Sequence, residues 1–539
     1  MHAQSGLRVA AGASVLLLMM AGCGGAGPAP EASGGGGDIK DGGELRVYIG
    51  EPRHLVSTTT TETEGAAVAR AIYAGLINYA NDGYKIVNVM ADSITSTDNK
   101  VWTIKIKGGW TFHNGEPVDA DAYLRAWNTG AYAPNAQTGA HFFERFEGYE
   151  ELQGKAPKTK ELSGLKKVDN LTFQVTLRQP FAGFPVTLGY TSFMPMAKAC
   201  ADDLKACDES PIGNGPFRMD GKWEHKQQVK LVRNEDYKGE KAHLDKLTFK
   251  IYDKIDTAYN DLLAGNIDLM PRRVPPTKIA EARTKFGTRL IEQPSPSYTY
   301  LGVPIYVDAY KDKKLRQAMS LAIDRQAIID AVYQGSYSPA KSFSPPNFPG
   351  GRDKTCPFCE FNVEKAKQLL AEAGGWPAGK KVELWFNAGG GHDTWMQAVG
   401  DQLKRNLGMD YELKGQLQFA EYLTTRDAKK FTGPFRGSWA PDYPLNENYL
   451  KPLFGTGGSS NGPGYSNTAF DQKIVAGDNG KTLEEAGKLY GAAEDILAED
   501  MPGIPLWYEK TAVAYADGVT GVAYNGIQGV GYARIGFKK

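Results

Sequence analysis

The sequence lacks an excess of charge of either sign. Lysine plus arginine number 62 and aspartate plus glutamate number 62 among 539 residues, so the formal net charge at pH 7 is zero. A balanced chain has no bulk electrostatic field that would attract nucleic acid or an anionic membrane surface. We therefore expect no nucleic-acid partner, and any recognition of charge has to come from local groups.

Motifs of catalysis are also scarce. None of the seven histidines is followed by glutamate, so the zinc-binding pattern His-Glu-x-x-His is missing. Gly480-Lys481-Thr482 ends like a phosphate-binding loop, but Val475 stands where its first glycine is required. A secreted hydrolase built from scattered residues stays an alternative. We expect a protein without enzymatic activity, without a cofactor and without a bound metal.

A short hydrophobic run opens the chain. Arg8 precedes apolar residues over 9–20, a run too short to span a bilayer and as long as a signal-peptide core. It ends in Met-Ala-Gly-Cys at Cys23, which resembles the lipobox of bacterial lipoproteins, although leucine is usual at the first position. The resemblance implies cleavage after residue 22 and a diacylglycerol anchor on Cys23. An ordinary secretory signal, with Cys23 there by chance, is the alternative.

Residues 24–37 are nearly all glycine, alanine, proline and serine. Such a composition cannot bury a core. We therefore interpret residues 1–22 as a signal peptide and 23–37 as a lipidated, flexible leash. The folded part would lie outside the cytoplasm, lipid-anchored at the outer face of the cell membrane or in the periplasm.

Cysteine is rare, with five residues in the chain. Apart from Cys23, the cysteines form two pairs that are close in sequence, Cys200 with Cys207 and Cys356 with Cys359. Thiols outside the cytoplasm tend to pair, so two local disulfides are the simplest interpretation. A four-sulfur zinc site or a redox-active Cys-Pro-Phe-Cys motif is the alternative.

Strand and helix patterns alternate along the chain. Apolar residues at alternate positions predict strands, and apolar residues three and four apart predict helices. The predicted strands include 43–49, 102–106, 171–177, 247–251, 267–270 and 382–386, and the predicted helices 68–81, 119–127, 256–265, 312–334, 362–374, 393–408 and 482–499. We expect Asp256 to cap one helix and Thr482 with Glu485 to form a capping box. Segments of these lengths indicate parallel strand pairing and an α/β fold.

Residues 435–443, Phe-Arg-Gly-Ser-Trp-Ala-Pro-Asp-Tyr, place opposite charges close together. Asp442 can accept hydrogen bonds from an ammonium group, Arg436 can grip a carboxylate at two points, and Trp439 supplies a flat wall between them. A peptide carries both charges, one at each end. The stretch therefore predicts a peptide site, and an exposed loop with solvated charges is the alternative.

Five motifs follow one another after residue 40: GELRV at 43–47, FHNGEPV at 112–118, GNGPF at 213–217, LAGNID at 263–268 and LRQAMSLAIDR at 315–325. As a set in this order they resemble the extracytoplasmic solute-binding proteins that serve ABC importers of peptides, dipeptides and nickel. The resemblance implies a bilobal, periplasmic-binding-protein-like α/β fold with two mixed-sheet lobes, an extra domain and a ligand cleft between the lobes. It implies a first lobe of 38–80, 207–300 and 509–539, an extra domain of 81–206 and a further lobe of 301–508.

The resemblance also assigns roles to residues. Oligopeptide-binding members have a Trp-x-x-Asp-Tyr segment like that at 439–443, which implies that Asp442 holds a peptide's amino terminus and Arg436 its carboxyl terminus. Asn387 and His392 reproduce the spacing of a second segment of these members, and a helix cap and a surface histidine are the alternative. Further candidates for the cleft are Tyr443, Glu62, Thr63, Trp507 and Tyr508, of which the last two are equally compatible with the core.

The function implied by the resemblance is transport. A monomeric lipoprotein of this kind captures oligopeptides by hinge closure and delivers them to ABC permease subunits in the membrane. Two other functions stay open: binding of another small solute, such as a metal chelate or a sugar, and sensing of peptides at the cell surface without import.

Overall fold

The computed structural model describes residues 39–388 and 390–539. The predicted signal peptide, the leash and the lipidation site at Cys23 lie outside the described residues. Within the described residues, no helix combines the length and the hydrophobicity that crossing a bilayer requires.

Strands occur throughout the described chain. They are β1 (Ile39–Lys40), β2 (Glu44–Ile49), β3 (Ile77–Tyr79), β4 (Ile86–Asn88), β5 (Ala91–Thr95), β6 (Val101–Ile106), β7 (Leu165–Asp169), β8 (Thr172–Thr176), β9 (Phe217–Met219), β10 (Gln228–Arg233), β11 (Lys246–Ile251), β12 (Leu269–Met270), β13 (Leu290–Gly302), β14 (Ser338–Pro339), β15 (Val382–Trp385), β16 (Tyr411–Lys414), β17 (Phe435–Trp439), β18 (Gly503–Tyr515), β19 (Val519–Thr520), β20 (Tyr524–Asn525), β21 (Gly529–Val530) and β22 (Gly536–Lys538).

Helices alternate with these strands. They are α1 (Thr63–Ile72), α2 (Ala120–Ala131), α3 (Phe184–Thr187), α4 (Lys198–Asp202), α5 (Leu204–Glu209), α6 (Ile255–Ala264), α7 (Ile279–Phe286), α8 (Lys313–Leu321), α9 (Arg325–Tyr333), α10 (Val363–Glu372), α11 (Asp393–Leu407), α12 (Phe419–Asp427), α13 (Glu447–Phe454), α14 (Thr468–Asp478) and α15 (Leu483–Asp500). Short 3₁₀ turns account for much of residues 130–155, where the sequence pattern is weak.

The largest sheet among the described residues has 11 strands, in the order β16-β15-β17-β13-β18-β12-β2-β11-β10-β9, with β14 also on β18. Its pairings are mixed: β2 runs parallel to β11 and β12, and β15 runs parallel to β16 and β17, whereas β13 and β18 are antiparallel. The strands on the two sides of the β13–β18 pair therefore form two halves of one sheet.

Strands β13 and β18 join these halves, and each is 13 residues long. One end of β18 pairs with β12, and the opposite end of β13 pairs with β17. The ladder between the two long strands shifts register between Pro294 and Tyr298. Pro294 and Pro296 have no N–H to donate, so the hydrogen bonding is interrupted where the two halves meet.

A second, four-stranded antiparallel sheet, β5-β6-β8-β7, lies within residues 91–176. Helix α2 covers it, because Tyr123 stacks on Phe173 with ring centroids 5.5 Å apart and Trp127 meets the same ring edge-on at 5.4 Å. This sheet falls inside the extra domain predicted for 81–206. The domain boundaries themselves stay a prediction.

The single helix predicted over 312–334 is wrong. Helix α8 ends at Leu321 and α9 begins at Arg325, because the Asp324 side chain accepts a hydrogen bond from the N–H of Ala327 at 3.0 Å and starts a new helix. The buried Arg325 guanidinium donates to the carbonyl oxygen of Pro505 at 2.7 Å, a tertiary contact that the local pattern does not contain.

The capping predictions have mixed outcomes. Asp256 lies in the first turn of α6 and does not cap it, since Lys254 holds the N-cap position. Thr482 does cap α15, accepting from the N–H of Glu485 at 3.2 Å. The Glu485 carboxylate reaches back to the N–H of Lys481 at 2.9 Å, one residue before the usual position.

The four cysteines of the described chain are buried. Cys200 is bonded to Cys207, which ties α4 to α5, and Cys356 is bonded to Cys359 in a short turn. Both disulfides therefore close local loops and leave the two halves of the large sheet unlinked by disulfides within the described residues.

Gly437 allows β17 to pack closely on the sheet. A Cβ atom at this position would lie 2.3 Å from Cζ of the buried Tyr300 ring, so a side chain would displace the strand or the ring. We predict that Gly437→Ala lowers the free energy of unfolding by about 1–3 kcal/mol, measured by urea denaturation. Gly531→Ala is the control, since a Cβ there would meet nothing within 4 Å. Equal stability of both variants would contradict this packing.

Candidate functional site

Strand β17 and the loop after it present the candidate residues. Arg436 pairs with Leu301 of β13, and Trp439 pairs with Tyr298. Strand β17 is therefore fixed beside the long β13–β18 pair. Asn448, which is buried in α13, accepts hydrogen bonds from Trp439 Nε1 at 3.0 Å and from the N–H of Asp442 at 2.9 Å. One amide therefore holds both the tryptophan and the loop of the predicted peptide site.

Asp442 is half-buried and holds no ion pair among the described residues. Asn448 Nδ2 donates to its Oδ2 at 3.3 Å, and the Tyr190 hydroxyl also bonds to this carboxyl. Burial raises the pKa of Asp442 to about 7, while the two hydrogen bonds act in the opposite direction. The neutral and charged forms are therefore close in free energy near neutral pH, and a nearby cation would favour the charged form.

Arg70 is the cation whose charge acts on Asp442, but it does not pair with it. Its Nε atom is buried without a hydrogen-bond partner, and burial lowers its pKa. Tyr79 and Tyr190 lie within its electrostatic reach. The Asp442 carboxyl and the Arg70 guanidinium are thus held near each other without forming an ion pair.

Asp442 lines a cavity of about 410 Å³. One wall comes from residues 141–193 and the other from residues 442–478; the lining residues include Phe142, Phe184, Phe193, Tyr443, Glu447 and Asp478. The aromatic rings and the unpaired carboxyl of Asp442 together suit a ligand that has both apolar and cationic parts.

Arg145 connects the two walls. Its guanidinium contacts Glu447 at 3.0 Å and Asp478 at 2.5 Å, and it lies 3.9 Å above the ring centroid of Phe181. The Tyr443 hydroxyl donates to the second oxygen of Glu447 at 2.7 Å. Tyr443 is buried by this network, so it supports the cavity wall through its neighbours.

Arg436 is half-exposed and carries no counter-ion within hydrogen-bond distance in the described chain. Its Nε atom is buried without an acceptor, and burial lowers its pKa. The Tyr422 hydroxyl donates to its backbone carbonyl at 2.6 Å, which fixes the strand at this point. An unpaired guanidinium fork of this kind can accept a carboxylate.

Asn387 and His392 come together around one turn. A Cβ on Gly390 would lie 2.4 Å from His392 Nε2 and 3.0 Å from Asn387 Nδ2. Trp395 Nε1 donates to His392 Nδ1 at 3.2 Å, while Asn387 Oδ1 is buried without a partner. Burial and the charge of Arg436 lower the pKa of His392, so the ring is neutral at pH 7. His392 makes no capping bond to α11.

Trp507 is not a surface residue of the cleft. It is 1% exposed and packs against Trp395 with ring centroids 5.3 Å apart, so the structure places it in the core. Its position in a central strand explains this, since both faces of β18 are covered there. Tyr508 is half-buried, and its hydroxyl donates to the carbonyl of Ser342 at 2.9 Å.

Glu62 and Thr63 organise the start of α1. The Glu62 carboxylate caps the helix, accepting from the N–H groups of Glu64 at 2.7 Å and Gly65 at 2.8 Å. Burial and the charge of Glu64 raise the pKa of Glu62 to about 8. The Thr63 hydroxyl donates to Glu64 at 2.7 Å. Both candidates are thus engaged within the helix start, and Glu64 is the residue whose charge reaches the arginines Arg272 and Arg273.

Several site residues are missing from the sequence-based prediction. Tyr190 and Asn448 contact Asp442 from positions that carry no motif. Arg272 and Arg273 form an adjacent pair just after β12, a local concentration of charge that the sequence does display. Two adjacent arginines directly after a strand pattern are therefore the sequence signal for this pair.

A Gly-x-Ser-x-Gly spacing does occur at 458–462, contrary to the expectation that motifs of catalysis are scarce. A nucleophile elbow needs a strand before the serine and a helix after it. Here the segment follows α13 and forms turns, and the Ser460 N–H donates to the carbonyl of Pro452 at 2.9 Å. No histidine bonds to the Ser460 hydroxyl in the part of the chain that the structure describes, so this serine has no activating base there.

The raised pKa of Asp442 predicts a pH-dependent stability of the ligand-free protein. With a pKa of 3.8 when unfolded and about 7 when folded, the folded state binds more protons between these values, so stability falls as pH rises from about 4 to 7. Asp442→Asn removes this titration. We predict that the free energy of unfolding of the variant, relative to wild type, is about 4 kcal/mol higher at pH 8 than at pH 4, measured by urea unfolding. A difference independent of pH would contradict the burial of an unpaired carboxyl.

Comparison with known proteins adds family relationships. The sequence model of the family described as "Bacterial extracellular solute-binding proteins, family 5 Middle" matches residues 85–461. The periplasmic murein peptide-binding protein MppA of Escherichia coli K12 is 26% identical over 508 residues, which cover 91% of this chain and 92% of that protein. The oligopeptide-binding protein OppA of Bacillus subtilis 168 is 25% identical over 541 residues, 97% of each chain.

A solved structure shows the same fold. The Escherichia coli murein tripeptide binding protein MppA superposes with a TM-score of 0.83 at 24% identity, covering 93% of this chain and 99% of that chain. The expected fold class, a bilobal periplasmic-binding-protein-like α/β fold, is thereby confirmed.

Proposed function

Because this chain belongs to the bacterial extracellular solute-binding proteins, family 5, we propose that it is the substrate-binding component of an ABC importer that captures oligopeptides. The observation that carries the proposal is Asp442, a half-buried carboxyl without an ion pair in the described chain, on the wall of a cavity of about 410 Å³. Relatives named for binding oligopeptides and a murein peptide support it.

The ammonium group of a peptide supplies what Asp442 lacks. An N⁺–H to carboxylate bond is charge-assisted and stronger than a neutral hydrogen bond. Asn448 and Tyr190 hold the carboxylate so that it can accept from the ligand without reorganising. Binding would favour the charged form of Asp442 and bring its pKa back down, so ammonium recognition and ionisation occur together.

The other end of the ligand meets Arg436. Its fork has no carboxylate of the described chain to bind, so the carboxyl terminus of a peptide of suitable length can take that place. Trp439 lies on the same strand, three residues along, and offers an apolar wall beside the peptide backbone. His392, a neutral ring on which the charge of Arg436 acts, and Asn387 beside the same glycine complete this side of the site in our proposal.

Closure would occur about β13 and β18. These strands join the two halves of the sheet, and their hydrogen bonding is interrupted between Pro294 and Tyr298, which suits a pivot. Closing removes water from Asp442. An unpaired buried charge is penalised by several kcal/mol, so closure is favoured only when an ammonium group is present. In this way the carboxyl couples ligand recognition to the closed form.

Delivery and anchoring complete the proposal. We propose that the closed form is the one that membrane permease subunits recognise, and that a lipid on Cys23 keeps a monomeric receptor close to them by raising its effective concentration. The same anchor would place the protein at the outer face of the cell membrane or in the periplasm.

Asp442→Asn tests the ammonium site. We predict that the variant binds a peptide with a free amino terminus at least about 30-fold more weakly than wild type, since about 2 kcal/mol or more is lost when a buried charge pair is broken. Isothermal titration calorimetry measures this, with the amino-acetylated peptide as the second ligand.

Asp471→Asn is the matched control. Asp471 lines the same cavity, but its carboxylate already accepts from the hydroxyl and the N–H of Thr456. This variant should keep wild-type affinity. Equal affinity of wild type for the free and the acetylated peptide would refute the proposed role of Asp442.

A further inference from the structure

Arg272 and Arg273 follow β12, the strand beside the β13–β18 pair. The carbonyl of Arg272 accepts a hydrogen bond from the N–H of Ala512 in β18 at 2.9 Å, which fixes the two arginines beside β18. The Arg272 guanidinium donates to Ser297 Oγ at 3.2 Å. Arg273 differs: its side chain is exposed and has no hydrogen bond or ion pair with any described residue.

Arg436, on the other side of the β13–β18 pair, also lacks an ion pair among the described residues, but its side chain is only half-exposed. Its strand, β17, pairs with β13, whereas Arg273 follows β12, which pairs with β18. The two guanidinium groups therefore come from different halves of the sheet. Neither has a carboxylate within ion-pair distance in the described part of the chain, and the Nε atom of Arg436 is buried without an acceptor.

Arg273 and Arg436 lie within each other's electrostatic reach, since the charge of Arg273 acts on Arg436. The charge of Glu509 acts on both Arg273 and Arg436, and the charges of both arginines act on His392. Glu509 lies in β18, and the hydroxyl of Thr299 in β13 donates to its carboxylate at 3.1 Å. Tyr337 lines the same small cavity as Arg273, and the charge of Glu64 acts on Arg273.

Two guanidinium groups in this position repel each other. A guanidinium does not lose its proton in the physiological range, so the repulsion cannot be relieved by titration. Glu509 and Glu64 weaken it from a distance but form no ion pair with either Arg273 or Arg436. A carboxylate between the two arginines would replace repulsion by two charge-assisted contacts, one from each half of the sheet.

We infer that Arg273 and Arg436 form a two-sided clamp for a carboxylate of the bound peptide, so that a peptide presenting a carboxylate there is preferred over one that does not. The inference rests on the proposed function and adds Arg273 as a residue that determines specificity. The carboxylate has two possible sources with the same chemistry, the carboxyl terminus and an acidic side chain. The test distinguishes them.

Four forms of one short peptide with a free amino terminus test the clamp in the wild-type protein. They combine a central glutamate or glutamine with a free or an amidated carboxyl terminus, at lengths of three, four and five residues. We expect the form without any carboxylate to bind at least about 10-fold more weakly than the best carboxylate form, measured by calorimetry. Which single carboxylate restores affinity identifies the source.

Arg273→Gln tests the residue. This variant should bind the peptides with and without a carboxylate with nearly equal affinity, while its affinity for the amidated glutamine peptide stays unchanged. Arg273→Lys keeps the charge and should retain part of the preference. Arg178→Gln is the control, because Arg178 pairs with the exposed Glu150 at 2.7 Å. Thermal melting of each variant reports whether it is folded.

Two results would overturn the clamp: equal wild-type affinity for all four forms, or an undiminished preference in Arg273→Gln. If amino-acetylation still abolishes binding in these cases, the proposed function stands and only the clamp fails. If no peptide binds, or acetylation has no effect, the proposed function fails first and the clamp fails with it.

Discussion

The antiparallel pairing of β13 with β18 is the constraint on which the rest of the structure depends. Every other strand of the large sheet within the described chain lies on one side of this pair or the other. Arg436 is placed by the pairing of β17 with β13, and Arg272 by its bond to Ala512 in β18. Charged groups from separate stretches of sequence therefore reach the proposed site because two long paired strands run from one half of the sheet to the other.

The proposed site holds charges that have no ion-pair partner among the described residues. Asp442 and Arg70 are near each other but unpaired, and Arg436 and Arg273 have no carboxylate in contact among the described residues. Asp442, Arg70 and Arg436 are partly buried, whereas Arg273 is exposed, and an unpaired charge that is buried is destabilising. A ligand with an ammonium group and a carboxylate would relieve both conditions at once, so the same groups that weaken the empty form favour the closed, occupied one.

The sequence predicts elements whose signal is local. Helix α11 begins at the expected Asp393 because its apolar face and the terminal Gly408 are both in the pattern. The helix predicted over 312–334 fails because Asp324 caps a new helix, whose first residue, Arg325, bonds to Pro505, a residue 180 positions away. At the site, Asp442 belongs to a short recognisable segment, whereas Tyr190 approaches from a distant part of the chain. The pair Arg272 and Arg273 is visible in the sequence, but its place beside β18 depends on the tertiary bond of Arg272 to Ala512.

The most direct test of the central claim is a crystal structure of the protein with the ligand that it retains on purification, identified by mass spectrometry. The account predicts a peptide whose amino-terminal nitrogen lies within about 3 Å of an Asp442 carboxylate oxygen. A retained ligand without an ammonium group, or a peptide whose amino terminus lies away from Asp442, would contradict it.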